Sequence, residues 1–137
     1  MGIVLAILVF GLIIFVHEMG HFLLAKANKI RVDEFSLGMG PRIFSFTKGE
    51  TRYSLKLLPL GGSCMMGEDD ADDMSEGSFN SKSVWARISV VVAGAIFNFI
   101  LALVFAIITV GITGYITPKI SAVDKEYPAA EAGIRPW

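Results

Sequence analysis

The chain has 137 residues, 53% of them hydrophobic, and its formal net charge is −1. That length leaves room for one small domain, but the hydrophobic content exceeds that of an ordinary soluble domain, so the composition indicates a membrane protein. The near-zero net charge offers no basic field for a nucleic-acid partner. The single cysteine, Cys64, excludes a disulfide framework within the chain.

Two segments are long and apolar enough to cross a membrane. No charged residue occurs from Met1 to Val16 or from Ile88 to Pro118, and crossing a hydrocarbon core takes roughly 20 residues of apolar helix. The first segment lacks the basic start and the small-residue cleavage site of a signal peptide. We therefore predict a retained transmembrane helix within residues 1–27 and a second one within residues 83–116.

The first predicted helix contains the only two histidines of the chain, in the order His17-Glu18-Met19-Gly20-His21. At 3.6 residues per turn, the two imidazoles lie about 40° apart on one helical face, so both can reach one metal ion. Bound zinc lowers the pKa of water towards about 7, and a neighbouring glutamate can accept the proton as that water attacks a peptide carbonyl. The pattern predicts His17 and His21 as Zn²⁺ ligands and Glu18 as the catalytic base.

The connection between the helices, residues 28–82, is predicted to be cytoplasmic. Nine of the twelve Lys and Arg residues lie in or next to it, and basic residues concentrate on the cytoplasmic side of a membrane. Alternating apolar and polar residues predict a membrane-associated β-hairpin at about 43–58, and glycines and prolines on both sides predict irregular loops at its borders. A solvated acidic loop is expected at 68–76. The predicted fold class is an α-helical polytopic membrane protein with a small β-hairpin between two transmembrane helices.

The second predicted helix carries an amide residue, Asn98, at about the depth of the histidine pair. At 1.5 Å per residue, His17 lies about 13 Å and Asn98 about 16 Å from the cytoplasmic ends of their helices. Gly20 and Gly94 also fall at similar levels, where small residues let helices approach closely. Asn98 is therefore either an interhelical hydrogen-bonding group or a substrate or oxyanion contact, and the sequence leaves both open.

Three further patterns accompany the zinc motif. The sequence F-x-x-G-x-G-P occurs at residues 35–41, P-L-G-G at 59–62, and a variant of G-P-x-x-N at 94–98, with Ala95 in the proline position. Together these motifs resemble the site-2 protease family of regulated intramembrane zinc metalloproteases, in its bacterial form, over essentially the whole chain. One further departure is Ser63-Cys64-Met65, where the family has aromatic and basic residues.

The resemblance implies a zinc-dependent endopeptidase that hydrolyses peptide bonds within or near transmembrane segments of single-span membrane proteins, such as an anti-sigma factor or a remnant signal peptide. It implies the bacterial cytoplasmic (inner) membrane, with the site towards the cytoplasm and with the N-terminus and tail outside. In the family the hairpin pairs with an extended substrate segment. The candidate pairing residues are Ile43, Phe44, Ser45, Phe46, Tyr53, Leu55 and Leu57. A hairpin that only covers the site is an equally open alternative.

The resemblance also implies a third zinc ligand, an Asp on a later transmembrane helix, which has no counterpart in this sequence. Residues 117–137 resemble the opening of the extracytoplasmic PDZ domain of the family. We therefore expect a truncated N-terminal portion that binds zinc weakly and cleaves nothing unless the missing helices are supplied. A metal transporter and a non-catalytic membrane scaffold are the alternatives. The sequence leaves the substrate and the oligomeric state open.

Overall fold

A computed structural model describes residues 2–67, 72–114, 120, 122–123 and 125–135. The elements in these residues are, in chain order, α1 (Gly2–Ala27), β1 (Glu34–Lys48), β2 (Thr51–Met65), α2 (Val84–Thr113) and α3 (Pro128–Glu131). The chain divides into two units, Met1–Val104 and Phe105–Trp137. Every predicted site residue belongs to the first unit.

Two predicted segments lie partly outside the described residues. The undescribed part of the acidic loop is 68–71, and that of the tail that resembles a PDZ opening is 117–119, 121, 124, 136 and 137. Within the tail, the described residues include the four-residue helix α3. The PDZ assignment therefore stays a prediction.

The two long helices confirm two candidate membrane spans with a hairpin between them. Helix α1 has 26 residues and α2 has 30, so they are about 39 and 45 Å long at 1.5 Å per residue. Both are long and apolar enough to cross a membrane. Helix α1 ends where Lys29 takes a φ of 56°, the left-handed conformation that commonly closes helices.

The β-hairpin is longer than predicted. Its strands run from residue 34 to residue 65, because the segments predicted as irregular loops at both borders belong to β1 and β2. Gly38, Gly40 and Gly61 lie there with φ of 86°, 85° and 83°. Glycine adopts this left-handed conformation at little steric cost. These glycines therefore bend the strands without ending them, which the sequence pattern alone did not distinguish from a loop.

The strand register narrows the predicted substrate-pairing edge. Residues 34–37 pair on two sides, with 52–55 and with 62–65, whereas in the described register residues 44–48 pair with 51–55 alone. Tyr53 and Leu55 consequently have strand partners on both sides. Because an added strand needs unpaired backbone N–H and C=O groups, these two residues drop out of the candidate set. The outer edge at 44–48, which contains Phe44, Ser45 and Phe46, remains.

The core of the first unit lies where the end of α1, the sheet and the start of α2 meet. Phe22 and Tyr53 surround Phe35, with ring centroids 5.3 and 6.2 Å from its own. The buried core residues are Ala25, Ile30, Val32, Phe35, Cys64, Met66 and Val90. An ion pair between Lys26 and Glu50 holds the hairpin turn near the end of α1. These contacts fix the sheet beside the helical turn that carries the histidines.

A second ion pair spans the bend in β1. Arg42 donates to the two carboxylate oxygens of Glu34 at 3.1 and 3.0 Å. Burial raises the pKa of Glu34, but hydrogen bonds from Ser54 and Arg42, together with the charges of Arg42 and Lys56, outweigh it. The pKa of Glu34 therefore lies below its usual value of 4.5. A carboxylate of this kind stabilises the fold above its unfolded-state pKa, and that contribution is lost as the pH falls through the folded-state pKa.

We expect Arg42→Met to lower the free energy of unfolding at neutral pH by about 1 kcal/mol, because Glu34 loses charge-assisted hydrogen bonds. The difference from wild type should shrink below pH 4.5, where Glu34 is protonated in the unfolded chain. Thermal unfolding in detergent micelles at neutral and acidic pH measures both effects. The matched control is Lys48→Met, an exposed cation at the end of β1. An equal loss of stability at both pH values would contradict the assignment to Glu34.

Candidate metal centre

The two histidines of α1 point their ring nitrogens at each other. His17 Nε2 lies 3.2 Å from His21 Nε2, and the two rings are nearly perpendicular, with an interplanar angle of 77°. Two nitrogens bound to one tetrahedral zinc ion at about 2.0–2.1 Å lie about 3.3 Å apart. The spacing of the two Nε2 atoms therefore fits a pair of zinc ligands.

Helix α2 leaves space for this pair at Gly94. A Cβ built on Gly94 would lie 2.5 Å from His21 Nε2 and 2.6 Å from His17 Nε2. On the facing helix, a Cβ on Gly20 would lie 2.7 Å from the backbone oxygen of Ala93, the residue before Gly94. The close helix approach predicted at Gly20 and Gly94 is thus confirmed. Gly94 has a further role that the sequence did not indicate, because its missing side chain clears the space beside both ring nitrogens.

The outer ring nitrogens of the histidines meet different groups. His21 Nδ1 lies 2.8 Å from the backbone oxygen of Val90, which can only accept a hydrogen bond, so Nδ1 carries the proton and Nε2 keeps its lone pair for a metal. His17 Nδ1 lies 3.2 Å from Asn98 Nδ2. The predicted proximity of Asn98 to the histidine pair is therefore present as a direct contact. The Val90 carbonyl was missed, because no sequence signal marks a backbone acceptor.

Glu18 faces the sheet and a pocket of about 380 Å³ that it shares with His21. The P-L-G-G segment lies against Glu18, since a Cβ on Gly62 would come within 2.8 Å of Glu18 Cγ. The pocket is lined by Glu18, His21, Ser63, Cys64, Met65, Met66, Phe79, Val90 and Val91. The three residues that depart from the family pattern, 63–65, thus form part of the wall of the pocket beside the predicted base.

Within the described part of the chain, no group of three or more His, Cys, Asp or Glu side chains is placed to hold a metal ion. A catalytic zinc ion commonly takes three protein ligands and leaves one position for water. His17 and His21 provide two nitrogen donors, and the full ligand set stays a prediction.

Known proteins are similar to this chain over most of its length. The profile of peptidase family M50 matches residues 5–132. A protein of Clostridium perfringens named as a candidate zinc metalloprotease is 45% identical over 135 residues, which cover 98% of this chain and 40% of the relative. A protein of Clostridium acetobutylicum with the same kind of name is 42% identical over 134 residues, with the same two coverages.

A third relative, from Thermotoga maritima and also named as a candidate zinc metalloprotease, is 40% identical over 141 residues. These residues cover 98% of this chain and 28% of that protein. The chain therefore spans less than half the length of the curated relatives it matches. The extent of the profile match confirms the resemblance that the zinc motif and its companion patterns predicted: the chain belongs to peptidase family M50.

Proposed function

We propose that this chain provides the two-histidine part of the active site of a zinc-dependent intramembrane endopeptidase. The observation that carries the proposal is the 3.2 Å approach of the two Nε2 atoms on a helix long and apolar enough to cross a membrane. Ionisable residues within a span are costly and usually mark a site or a polar pathway. Family membership and the names of the relatives support the zinc assignment.

Each residue of the motif has a separate task in peptide hydrolysis. Zinc, when bound, supplies Lewis acidity that polarises a peptide carbonyl and lowers the pKa of water. His17 and His21 hold the ion through Nε2. Glu18 is the general base that accepts the proton of the attacking water and then donates it to the leaving amine. The proposal includes a third ligand, an Asp on a later transmembrane helix that the family resemblance implies and that has no counterpart in this sequence.

The apolar surroundings of the site support the proposed substrate class. A cavity of about 360 Å³ lies between α1 and the hairpin, and Ile14, one turn before Glu18, belongs to its wall together with Ile43 and Leu57. Ile43 directly precedes the outer edge at 44–48 and lines this cavity, so an extended apolar segment pairing with that edge would have one end near the cavity. We therefore propose single-span membrane proteins as substrates.

The proposed location is the bacterial cytoplasmic membrane, with the hairpin on the cytoplasmic side. The charge distribution supports this orientation, because nine of the twelve basic residues lie in or next to the connection between the helices. The exposed apolar side chains of the hairpin, among them Ile43, Phe44 and Leu57, suit contact with lipid. The N-terminus and the tail are then extracytoplasmic.

Removing the metal tests the proposal. The protein is expressed from its intact gene and reconstituted in vesicles with a single-span substrate. Cleavage should fall to background on addition of a zinc chelator and return with added Zn²⁺, because both the Lewis acid and the activated water are lost. The non-chelating isomer of the chelator is the control. Cleavage that persists under chelation would contradict the proposal. Metal flux without cleavage would instead indicate a transporter, and the absence of both would indicate a scaffold.

A further inference from the structure

Asn98 contacts His17 through the nitrogen of its side-chain amide, while the amide oxygen has no hydrogen-bond partner among the described residues. Nδ2 lies 3.2 Å from His17 Nδ1. Oδ1 is buried and has no hydrogen-bond partner among the described residues. The oxygen and nitrogen of an amide exchange places by a rotation of about 180°, and only the hydrogen-bond network decides between the two orientations. Because the amide atom that points away from His17 has no hydrogen-bond partner among the described residues, the orientation of the Asn98 amide depends on His17.

The orientation with Nδ2 towards His17 is incompatible with a metal on His17. An amide N–H can only donate, so His17 Nδ1 would have to accept, and a neutral imidazole that accepts at Nδ1 carries its proton at Nε2. That proton would lie on the nitrogen that faces His21 Nε2 at 3.2 Å. A protonated Nε2 has no lone pair to give to zinc. This orientation therefore suits the metal-free histidine pair, in which His17 Nε2–H donates to His21 Nε2.

The two histidines thus differ in how their proton positions are determined. The Val90 carbonyl, 2.8 Å from His21 Nδ1, is an acceptor that cannot rotate into a donor, so the proton of His21 is permanently placed on Nδ1. In His17 the corresponding partner is an amide that can be either donor or acceptor. The hydrogen-bond partner of the second ring nitrogen sets the tautomer of a metal-binding histidine and contributes to metal affinity.

We propose that Asn98 is a positioning residue for His17, which turns its Oδ1 towards His17 Nδ1 when zinc binds and so keeps the lone pair of His17 on Nε2. This inference rests on the proposed zinc site. After this rotation the amide N–H groups of Asn98 point away from His17, into the buried position that Oδ1 occupies in the metal-free arrangement. These groups are donors, so the arrangement is compatible with the substrate or oxyanion contact that the sequence left open for Asn98.

Two substitutions separate the acceptor role from the donor role. Asn98→Leu has nearly the same shape and offers neither group, and we expect the zinc affinity to fall about 10- to 100-fold, the range typical of lost partners of metal-binding histidines. Asn98→Asp offers only acceptors towards Nδ1 and should hold the affinity within about threefold of wild type or increase it. If Asn98 instead acts as a donor, Asp will be as damaging as Leu.

The matched control is Asn28→Leu. Asn28 donates to the Leu24 carbonyl at 2.8 Å and to Ser89 Oγ at 3.2 Å, so it also joins α1 to α2, but away from the histidine rings. If Asn98 contributed only to helix packing, Asn28→Leu and Asn98→Leu would weaken zinc binding alike. We expect Asn28→Leu to leave the affinity within about threefold of wild type, because it leaves the ring nitrogens untouched.

The measurement is zinc binding to the protein expressed from its intact gene and purified in detergent, by competition with a chromophoric chelator. Histidine ¹⁵N NMR of the zinc-loaded wild-type protein reports the tautomer directly, and His17 should carry its proton on Nδ1. This measurement does not depend on whether a variant folds. Wild-type affinity in Asn98→Leu, or an Nε2 proton on His17 in the zinc-loaded wild type, would overturn this inference alone. Failure of the wild-type protein from the intact gene to bind zinc would overturn the proposed site and the inference together.

Discussion

Replacing Glu18 by Gln will lower the rate of peptide cleavage by about 10²- to 10⁴-fold, the usual contribution of a general base. Gln keeps the shape of the side chain but cannot accept the proton of the attacking water. Zinc affinity should stay within about threefold of wild type, because the glutamate of this motif is not a ligand. The variant therefore separates chemistry from metal binding in one protein.

The cleavage assay uses the protein expressed from its intact gene and a single-span substrate, with the rate measured at saturating zinc. The matched control is Glu76→Gln, an exposed carboxylate in the connection to α2, which should cleave at the wild-type rate. A Glu18→Gln protein that cleaves as fast as the control would exclude the proposed mechanism. Loss of both cleavage and zinc binding would place Glu18 in the ligand set instead.

The helices and the histidine pair could be predicted because their signals are local. A charge-free run of membrane length specifies a helix by itself, and two histidines four residues apart share a helical face whatever surrounds them. That periodicity makes the 3.2 Å spacing of the Nε2 atoms possible. The level of Asn98 was also predictable, since a fixed rise of about 1.5 Å per residue converts sequence distance to depth.

The sheet and the surroundings of the histidines were harder to predict from the sequence, because they depend on contacts between residues far apart in the chain. The local sequence around Gly38 and Gly61 fits a loop as well as a bent strand. Only the pairing of residues 34–37 on two sides distinguishes the two structures. The position of Gly62 against Glu18 follows from that bend. The acceptor of His21 is a backbone oxygen, and every residue has one, so no side-chain pattern could have indicated Val90.

Gly94 makes the metal centre sensitive to a single methyl group. We expect Gly94→Ala to weaken zinc binding about 10- to 100-fold, because overpacking of a tight site commonly costs about 1–3 kcal/mol. The added Cβ would lie 2.5 Å from His21 Nε2 and 2.6 Å from His17 Nε2, closer than non-bonded carbon and nitrogen atoms can approach. The histidine rings must therefore turn away from each other or α2 must move outward. Zinc competition with a chromophoric chelator measures the loss.

Two glycines on the same helices serve as controls. Gly111→Ala adds its methyl group where no atom lies within 4 Å, so it should keep the zinc affinity of wild type. Gly20→Ala meets the backbone oxygen of Ala93 at 2.7 Å, so it disturbs the helix interface without pointing at the ring nitrogens. Gly94→Ala should lose more zinc affinity than Gly20→Ala at a similar loss of thermal stability. Equal zinc affinity in the two variants would mean that Gly94 permits helix packing and has no separate part in clearing the metal site.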